Sequence, residues 1–169
     1  MKEIVSLLNE MTGEGIITNY ALFGATAQMR YTEPVATLDA DVLVMLPSSE
    51  GLDLLAPLYA FCAKKGYTAE GESIRVGEWP LQFIPAFSPL TKEALEQAES
   101  VDFEGEPLRV VRADYLAVIA LSVGRAKDFA RILALLESKW VTREGIENLA
   151  RRHGLSEAWD RFQARFLDV

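Results

Sequence analysis

The chain has 169 residues, of which 50% are apolar, and it carries a formal net charge of −8 at pH 7. This length can bury a real hydrophobic core and predicts one compact unit, or a core with a helical extension. The acidic balance argues against broad binding to nucleic acid. No apolar run approaches the roughly 18 residues of a membrane span, and the first residues lack a signal-peptide pattern, so we expect a cytoplasmic protein.

Cysteine and histidine are too scarce for several kinds of site. The single cysteine, Cys62, can form neither an intramolecular disulfide nor a cysteine-based zinc site, and we expect it to be a buried helix residue. The single histidine, His153, precedes Gly154 and is expected to carry a helix-end charge. These two residues exclude a Ser-His-Asp, Cys-His or zinc-spaced catalytic set.

The first part of the chain alternates between helix and strand patterns. The predicted elements are a helix over 2–12 that ends at Gly13, a strand over 16–23, a short helix over 25–31 and a strand over 38–46. The last of these strands is apolar on both faces beyond its start, which is typical of a covered central strand. A further helix is predicted from Leu52, with Pro57 either delaying it or kinking it.

The middle of the chain predicts a meander, a helix and a hairpin. Short strands are expected over 67–70, 73–76 and 81–84, separated by Gly71 and Gly77. Ser88 before Pro89 is a good N-cap pair for a helix that continues to Ala98. Segments 101–103 and 107–111 flank a predicted hairpin turn.

After Arg112 all predicted elements are helices, over 115–123, around 129–136, over 142–153 and over 156–167. We therefore expect a core over 1–111 and a helical C-terminal portion over 112–169, packed together as one compact unit. The aromatic residues of the last helix are interpreted as core. Four arginines of the closing helices form either a local basic patch or a solvated face; they are Arg151, Arg152, Arg161 and Arg165.

Two aspartates open the predicted strand over 38–46. Side chains alternate between the two faces of a strand, so Asp39 and Asp41 share one face while Ala40 takes the other. Two carboxylates this close resist joint ionisation, and a cation, most often Mg²⁺, neutralises such a pair. The strand start therefore predicts a metal site.

A glycine lies where the preceding strand turns into a helix. Gly24 has no Cβ, so the backbone N–H groups after it can approach an anion closely. The sequence thus predicts a phosphate-binding turn that faces the metal site.

These residues resemble a known family. Phe23-Gly24-Ala25-Thr26, a spacer of thirteen residues from Thr26 to Leu38 and then Asp39-Ala40-Asp41-Val42 are similar to the signature of nucleotidyltransferases of the DNA polymerase β superfamily. The pattern from Thr37 to Asp41 looks closest to small bacterial proteins grouped with AbiEii-type toxins. The resemblance covers roughly residues 17–128. It implies an α+β fold, with a mixed β-sheet and helices followed by a helical C-terminal portion.

The resemblance also implies site residues. Gly24, Ala25 and Thr26 would hold a nucleoside triphosphate, and Asp39 and Asp41 would be catalytic and hold Mg²⁺. The family's third carboxylate is expected where this chain has Gln82, and an amide cannot take a proton or neutralise a metal charge. Two nearby acids, Glu72 and Glu78, could reach the site from loops or could be solvated turn residues.

A second element of the resemblance is Gly124-Arg125-Ala126-Lys127-Asp128, similar to an Arg-x-Lys-Asp element of the AbiEii-like group. There Lys127 would point toward the nucleotide phosphates, as a point charge suited to that task. The alternative is an ordinary glycine C-cap followed by helix-start residues.

Three functions remain open from the sequence. The first is Mg²⁺-dependent transfer of a nucleotidyl group from a nucleoside triphosphate to an acceptor, which would be RNA, protein or a small molecule. The second is a catalytically inactive protein of this fold that binds a nucleotide or a protein partner, which the glutamine at 82 favours. The third, a toxin of a toxin-antitoxin pair that acts on RNA, follows only from the family resemblance.

Overall fold

The structure is a computed structural model, and it describes residues 1–48, 51 and 53–169. The strands in this part of the chain are β1 (Asn19–Phe23), β2 (Ala40–Met45), β3 (Thr68–Glu70), β4 (Ser73–Val76), β5 (Trp79–Pro85), β6 (Glu99–Phe103) and β7 (Glu106–Val110). The helices are α1 (Lys2–Gly13), α2 (Gly24–Gln28), α3 (Ala56–Lys64), α4 (Pro89–Glu96), α5 (Ala113–Val123), α6 (Ala126–Glu137), α7 (Arg143–Arg152) and α8 (Ser156–Phe166).

The described strands form one mixed sheet with the order β3-β4-β5-β2-β1-β7-β6. Strand β2 runs antiparallel to β1 and parallel to β5, and β1 runs parallel to β7. The short hairpins β3-β4 and β6-β7 form the two ends of the sheet. This architecture confirms the predicted α+β fold with its mixed sheet and closing helices.

Strand β2 lies at the centre of the sheet. Val42, Leu43 and Val44 are fully buried, as expected of a strand that is covered on both faces. Asp41 is only half-buried at the start of this strand. The apolar residues therefore fix β2 in the core, and its polar start is left to line a site.

Several predicted boundaries are wrong by a few residues. Strand β1 begins at Asn19, because the backbone N–H of Ile16 still bonds to the carbonyl of Met11 in α1. Helix α2 ends at Gln28, since the N–H of Arg30 bonds back to the carbonyl of Ala27 in a tighter turn. Strand β2 begins at Ala40, which leaves Asp39 immediately before it.

Proline and serine set the starts of two helices. Pro57 occupies the first turn of α3, so it delays this helix and does not kink it. Leu52, the predicted start, lies outside the described residues. The Ser88 hydroxyl accepts a hydrogen bond of 3.1 Å from the Thr91 N–H, which confirms the predicted cap of α4. Cys62 is buried in α3, as predicted.

From Ala113 onward the regular elements are all helices, as predicted. Gly124 ends α5 in the left-handed region at φ 74°, and α6 begins after one further residue. Trp159 and Phe162 of α8 are buried, which agrees with the interpretation of these aromatics as core. No helix in the described part of the chain is both long and apolar enough to cross a membrane.

Candidate functional site

The two predicted aspartates line one cavity of about 460 Å³ at the start of β2. Asp41 pairs in register with Phe23 of β1 on one side and with Gln82 of β5 on the other. Asp39 precedes the strand, and the Thr37 hydroxyl donates a 2.8 Å hydrogen bond to the Asp39 carbonyl. The central strand thus presents both carboxylates at the same opening.

Gly24 lies directly against the Asp41 carboxylate. A Cβ at Gly24 would come within 2.5 Å of Asp41 Oδ2, and the backbone of Gly24 has φ +59°. Contacts of this length essentially do not occur, and L side chains rarely adopt this φ. Only glycine therefore allows the turn between β1 and α2 to approach this close to the acid.

The structure does not bring the other two predicted residues of this turn to the cavity. Neither Ala25 nor Thr26 is among the residues that line it. The Thr26 hydroxyl is buried and has no hydrogen-bond partner. Of the predicted phosphate-binding turn, Gly24 alone borders the cavity.

Gln82 of β5 lies next to Asp41 in the sheet. Its side chain lines the cavity, and its amide Nε2 donates to Glu72 Oε2 at 3.5 Å. Glu72 therefore lies one amide group away from the cavity, although it does not line it. Glu78 does not line it either, and its carbonyl accepts a hydrogen bond from Arg75.

Basic side chains of the segment after α5 line the same cavity as the aspartates. Lys127 is among them, together with Arg125 and Arg131. Arg125 Nε donates to Asp128 Oδ2 at 2.7 Å, and a backbone N–H from the same arginine reaches this oxygen at 3.1 Å. Asp128 thus holds Arg125 at the rim of the cavity.

Arg131 is the most enclosed cation of the site, with a side chain that is 13% exposed. Its Nε donates to Gln28 Oε1 at 2.9 Å, and its Nη1 lies 3.8 Å from Asp128 Oδ1. Burial lowers the pKa of Arg131, while Asp128 and Asp41 act in the opposite direction. The contact with Gln28 connects α6 to α2.

The pKa of Asp41 depends on burial and on the charged residues around it. Burial raises the pKa of Asp41 above its ordinary value, and the charge of Asp39 raises it further. The cations Arg131, Lys127 and Arg125 oppose this effect without cancelling it. Burial and the neighbouring carboxylate therefore outweigh the three cations at Asp41.

The donor set fits a divalent cation of the Mg²⁺ kind. Mg²⁺ is commonly held by one or two carboxylates together with phosphate oxygens, and Asp39 and Asp41 supply such a pair. Gln82 adds a neutral amide at the same opening. Among the described residues, no group of three or more His, Cys, Asp or Glu side chains is placed to hold a metal ion.

Arg131 is a site residue that the sequence patterns did not indicate, and neither did they indicate its contact with Gln28. The two residues are 103 positions apart, so no local motif joins them. The spacing of Arg131 from Lys127 could have indicated it, because residues four apart share a helix face. If Lys127 lines the cavity, helical spacing predicts that Arg131 lines it too.

Comparisons with known proteins give a match in structure alone. No protein-family model matches the chain, and no curated protein matches its sequence. The crystal structure of ANT(2″)-Ia in complex with adenylyl-2″-tobramycin is similar with a TM-score of 0.52 and 15% identity, over 96% of this chain and 97% of that one. The solution structure of the antibiotic-resistance factor ANT(2″)-Ia gives 0.53 and 14%, over 97% and 98%.

A third solved structure is an antigenic nucleotidyltransferase-like protein from Paracoccidioides brasiliensis, with a TM-score of 0.50 and 12% identity, over 94% of this chain and 93% of that one. At such identities the likeness concerns the fold. It extends over nearly the whole length of each chain and includes the helices after Ala113. The chain therefore has the nucleotidyltransferase fold.

Proposed function

We propose that this protein transfers a nucleotidyl group from a nucleoside triphosphate to an acceptor. One observation carries the proposal: two adjacent carboxylates and three basic side chains line the same cavity. A triphosphate with a divalent cation needs both kinds of group, acids for the metal and bases for the phosphates. The nucleotidyltransferase fold of the chain supports the proposal.

In this proposal the basic and the acidic residues of the cavity have different roles. Lys127 and Arg125 bind the phosphates, and Arg131 sets the positive potential behind them. Gly24 keeps the space beside Asp41 open, which a side chain would fill. The acids come from the proposed core over 1–111, and the cations come from the proposed helical portion over 112–169.

Asp39 and Asp41 are the residues that would hold Mg²⁺. When bound there, the ion neutralises charge that develops on the phosphates and aligns the attack. Asp41 suits this role because burial and Asp39 make its negative charge costly without a counter-charge.

The proposed reaction is a substitution at the α-phosphorus. A hydroxyl oxygen of the acceptor forms a bond to this phosphorus, and the bond from the phosphorus to the bridging oxygen of the β-phosphate breaks. Diphosphate leaves with the electron pair, and the hydroxyl proton passes to water. The role of the chain is to fix the phosphates and to place charge around them.

Gln82 favours a second candidate, a protein of this fold that binds a nucleotide or a protein partner without catalysis. The glutamine lies in register with Asp41, and its amide cannot replace the charge or the basicity of a carboxylate. Under this candidate, the cavity still binds a triphosphate but transfers nothing.

A label-transfer experiment separates the two candidates. The protein is incubated with Mg²⁺ and each ribonucleoside triphosphate, labelled either at the α- or at the γ-phosphate, together with RNA, protein and small-molecule acceptors. Transfer of the α-label alone, lost in Asp39→Asn, supports nucleotidyl transfer. Binding of the triphosphate without any transfer supports the inactive candidate. Asp160→Asn, at an exposed position of α8, is the matched control for Asp39→Asn.

The acceptor panel follows from two likenesses. The complex of ANT(2″)-Ia contains adenylyl-2″-tobramycin, so aminoglycosides belong in the panel. The motif likeness to AbiEii-type toxins adds cellular RNA and proteins, and it predicts that expression in bacteria arrests growth unless an antitoxin partner is present. Growth that continues normally with the wild-type protein, expressed alone, contradicts the toxin hypothesis.

A further inference from the structure

A second cavity adjoins the candidate site. It has a volume of about 500 Å³ and lies between the α5–α6 turn and α8. We call it the α8 groove and define it by Val123, Phe129, Leu155, Phe162, Arg161 and Arg165. Ser122 and Val123 line both this groove and the candidate active site, so the two cavities are neighbours at the end of α5.

The floor of the α8 groove is aromatic. The rings of Phe129, Phe162 and Phe166 contact one another, with centroids 5.0–5.7 Å apart. Phe162 is buried, whereas Phe129 and Phe166 are partly exposed. Val123 is 51% exposed at the junction with the active site. The ring pairs are tilted by 42–48°, so their exposed parts form an apolar but uneven surface.

The rim of the groove is positively charged. The Arg165 guanidinium lies over the Phe166 ring, 4.9 Å from its centroid, and no ion pair of Arg165 occurs among the described residues. Arg161 lies 3.7 Å from Glu157, but both side chains are largely exposed, so this contact is weak. The groove therefore combines an apolar floor with two cations that are available to an anion.

We propose that the α8 groove is the acceptor subsite, and that the acceptor is a small molecule with an apolar part and an anionic group. The acceptor role rests on the proposed function, since the groove shares Ser122 and Val123 with the cavity where the α-phosphate would lie. The volume suits a small molecule, and pockets of this kind combine apolar walls with a few orienting polar groups. Arg161 and Arg165 repel a polycationic acceptor.

A matched set of probes tests this proposal. 2-Naphthoate, 2-naphthamide and 2-naphthylmethylamine share one ring system and differ in charge, and each is titrated into ¹⁵N-labelled protein at low salt. We expect naphthoate to bind about fivefold more tightly than the amide, and the amine most weakly, because two exposed ion pairs contribute this order of affinity. The shifted amides should include Val123 and residues of α8.

Arg161→Gln with Arg165→Gln should remove the preference for naphthoate over the amide. The control is Lys64→Gln with Arg151→Gln, which changes the net charge equally at exposed positions outside the groove. Equal binding of all three probes, no binding at millimolar concentration, or equal loss in both double variants overturns the proposal. Displacement of naphthoate by micromolar decauridylate or polyglutamate overturns the small-molecule assignment.

A separate titration with ATP and Mg²⁺ reports on the proposed function. It should shift amides near Gly24 and Asp41, which lie outside the groove. Shifts with naphthoate but none with any triphosphate would contradict nucleotidyl transfer and leave an anion-binding groove. Shifts with ATP alone would contradict the acceptor subsite and leave the proposed function intact.

Discussion

Gly24 and Asp41 are in direct contact across the start of β2, and the contact leaves no room for a side chain at position 24. A Cβ there would lie 2.5 Å from Asp41 Oδ2 and 3.3 Å from Asp41 Cβ. The turn after β1 and the first acid of β2 therefore form one unit, in which the backbone of one element shapes the position of a carboxylate on the other.

Gly24→Ala should cost more stability than the same change at Gly71. Both glycines have nearly the same φ, +59° and +63°, but a Cβ at Gly71 would meet nothing within 4 Å. Backbone strain should cost about 1–2 kcal/mol at either position, and the contact with Asp41 should add about 1–3 kcal/mol at Gly24 alone. Urea unfolding of the two variants measures the difference.

Asp41→Ala provides the complementary test of the same contact. It removes the carboxylate and leaves only the Cβ at 3.3 Å, so the cost of Gly24→Ala in this background should fall most of the way to that of Gly71→Ala. A double-mutant cycle without coupling between positions 24 and 41 would show that the contact has no energetic consequence.

The residues that sequence could assign to the site are those within one local motif. Gly24, Asp39 and Asp41 lie within a strand-turn-helix-strand unit, and strand alternation and turn chemistry predict their neighbourhood. Gln82 could be placed because the next core strand along the chain pairs with β2 in register. Such local and sequential pairings also explain why the sheet itself was predictable.

Other features of the site and fold depend on contacts between distant segments, which the sequence of a single segment does not predict. Arg131 reaches the cavity through a contact with Gln28, far away in sequence. Thr26 was expected to offer its hydroxyl to a phosphate, but the rotation of the short helix α2 buries this hydroxyl. Strand β1 begins later than predicted, because the N–H of Ile16 bonds to the end of α1 and not to a neighbouring strand.

Asp41→Asn should stabilise the metal-free protein at pH 7. Burial and Asp39 raise the pKa of Asp41 in the folded state, so the wild type loses stability as the pH rises through that pKa. The gain of the variant should disappear once the pH falls below the ordinary aspartate pKa of 3.8. Melting curves in EDTA from pH 3 to 8 measure this, with the exposed Asp160→Asn as control. If the melting temperatures of Asp41→Asn and the wild type differ by the same amount at every pH, ionisation of Asp41 does not destabilise the fold.

Gln82→Asp should increase the response of the protein to Mg²⁺. The new carboxylate would adjoin Asp41 in the sheet, so it should lower stability in EDTA and raise the Mg²⁺-dependent increase in melting temperature. Gln82→Asn is the control for size and polarity. Because Glu72 contacts Gln82, adding Glu72→Gln should recover part of the stability lost in EDTA. Equal Mg²⁺ responses of the Asp and Asn variants would exclude position 82 from the metal site.

Glu93→Gln should weaken the attachment of α4 to α7. Glu93 accepts hydrogen bonds from Arg152 and His153, which lower its pKa from 4.5 to about 2. The stabilisation from this carboxylate is present above pH 4.5 and is lost as the pH falls toward 2. We expect the variant to lose about 1–2 kcal/mol at pH 7, and to approach the wild type in acid. The exposed Glu96→Gln should change little, and a loss that persists at pH 2 would assign the effect to packing.

The most direct test of the nucleotide site is the melting temperature of the protein with each of the four ribonucleoside triphosphates, in Mg²⁺ and in EDTA. A ligand at about 100 times its dissociation constant adds about 2.7 kcal/mol, or about 5–10 °C for a chain of this size. We predict such a shift for at least one triphosphate in Mg²⁺. Asp39→Asn with Asp41→Asn should abolish its Mg²⁺-dependent part, and Lys127→Ala should reduce the remainder. No shift with any of the four triphosphates, or a shift undiminished in the double aspartate variant, would contradict a metal-nucleotide site at the start of β2.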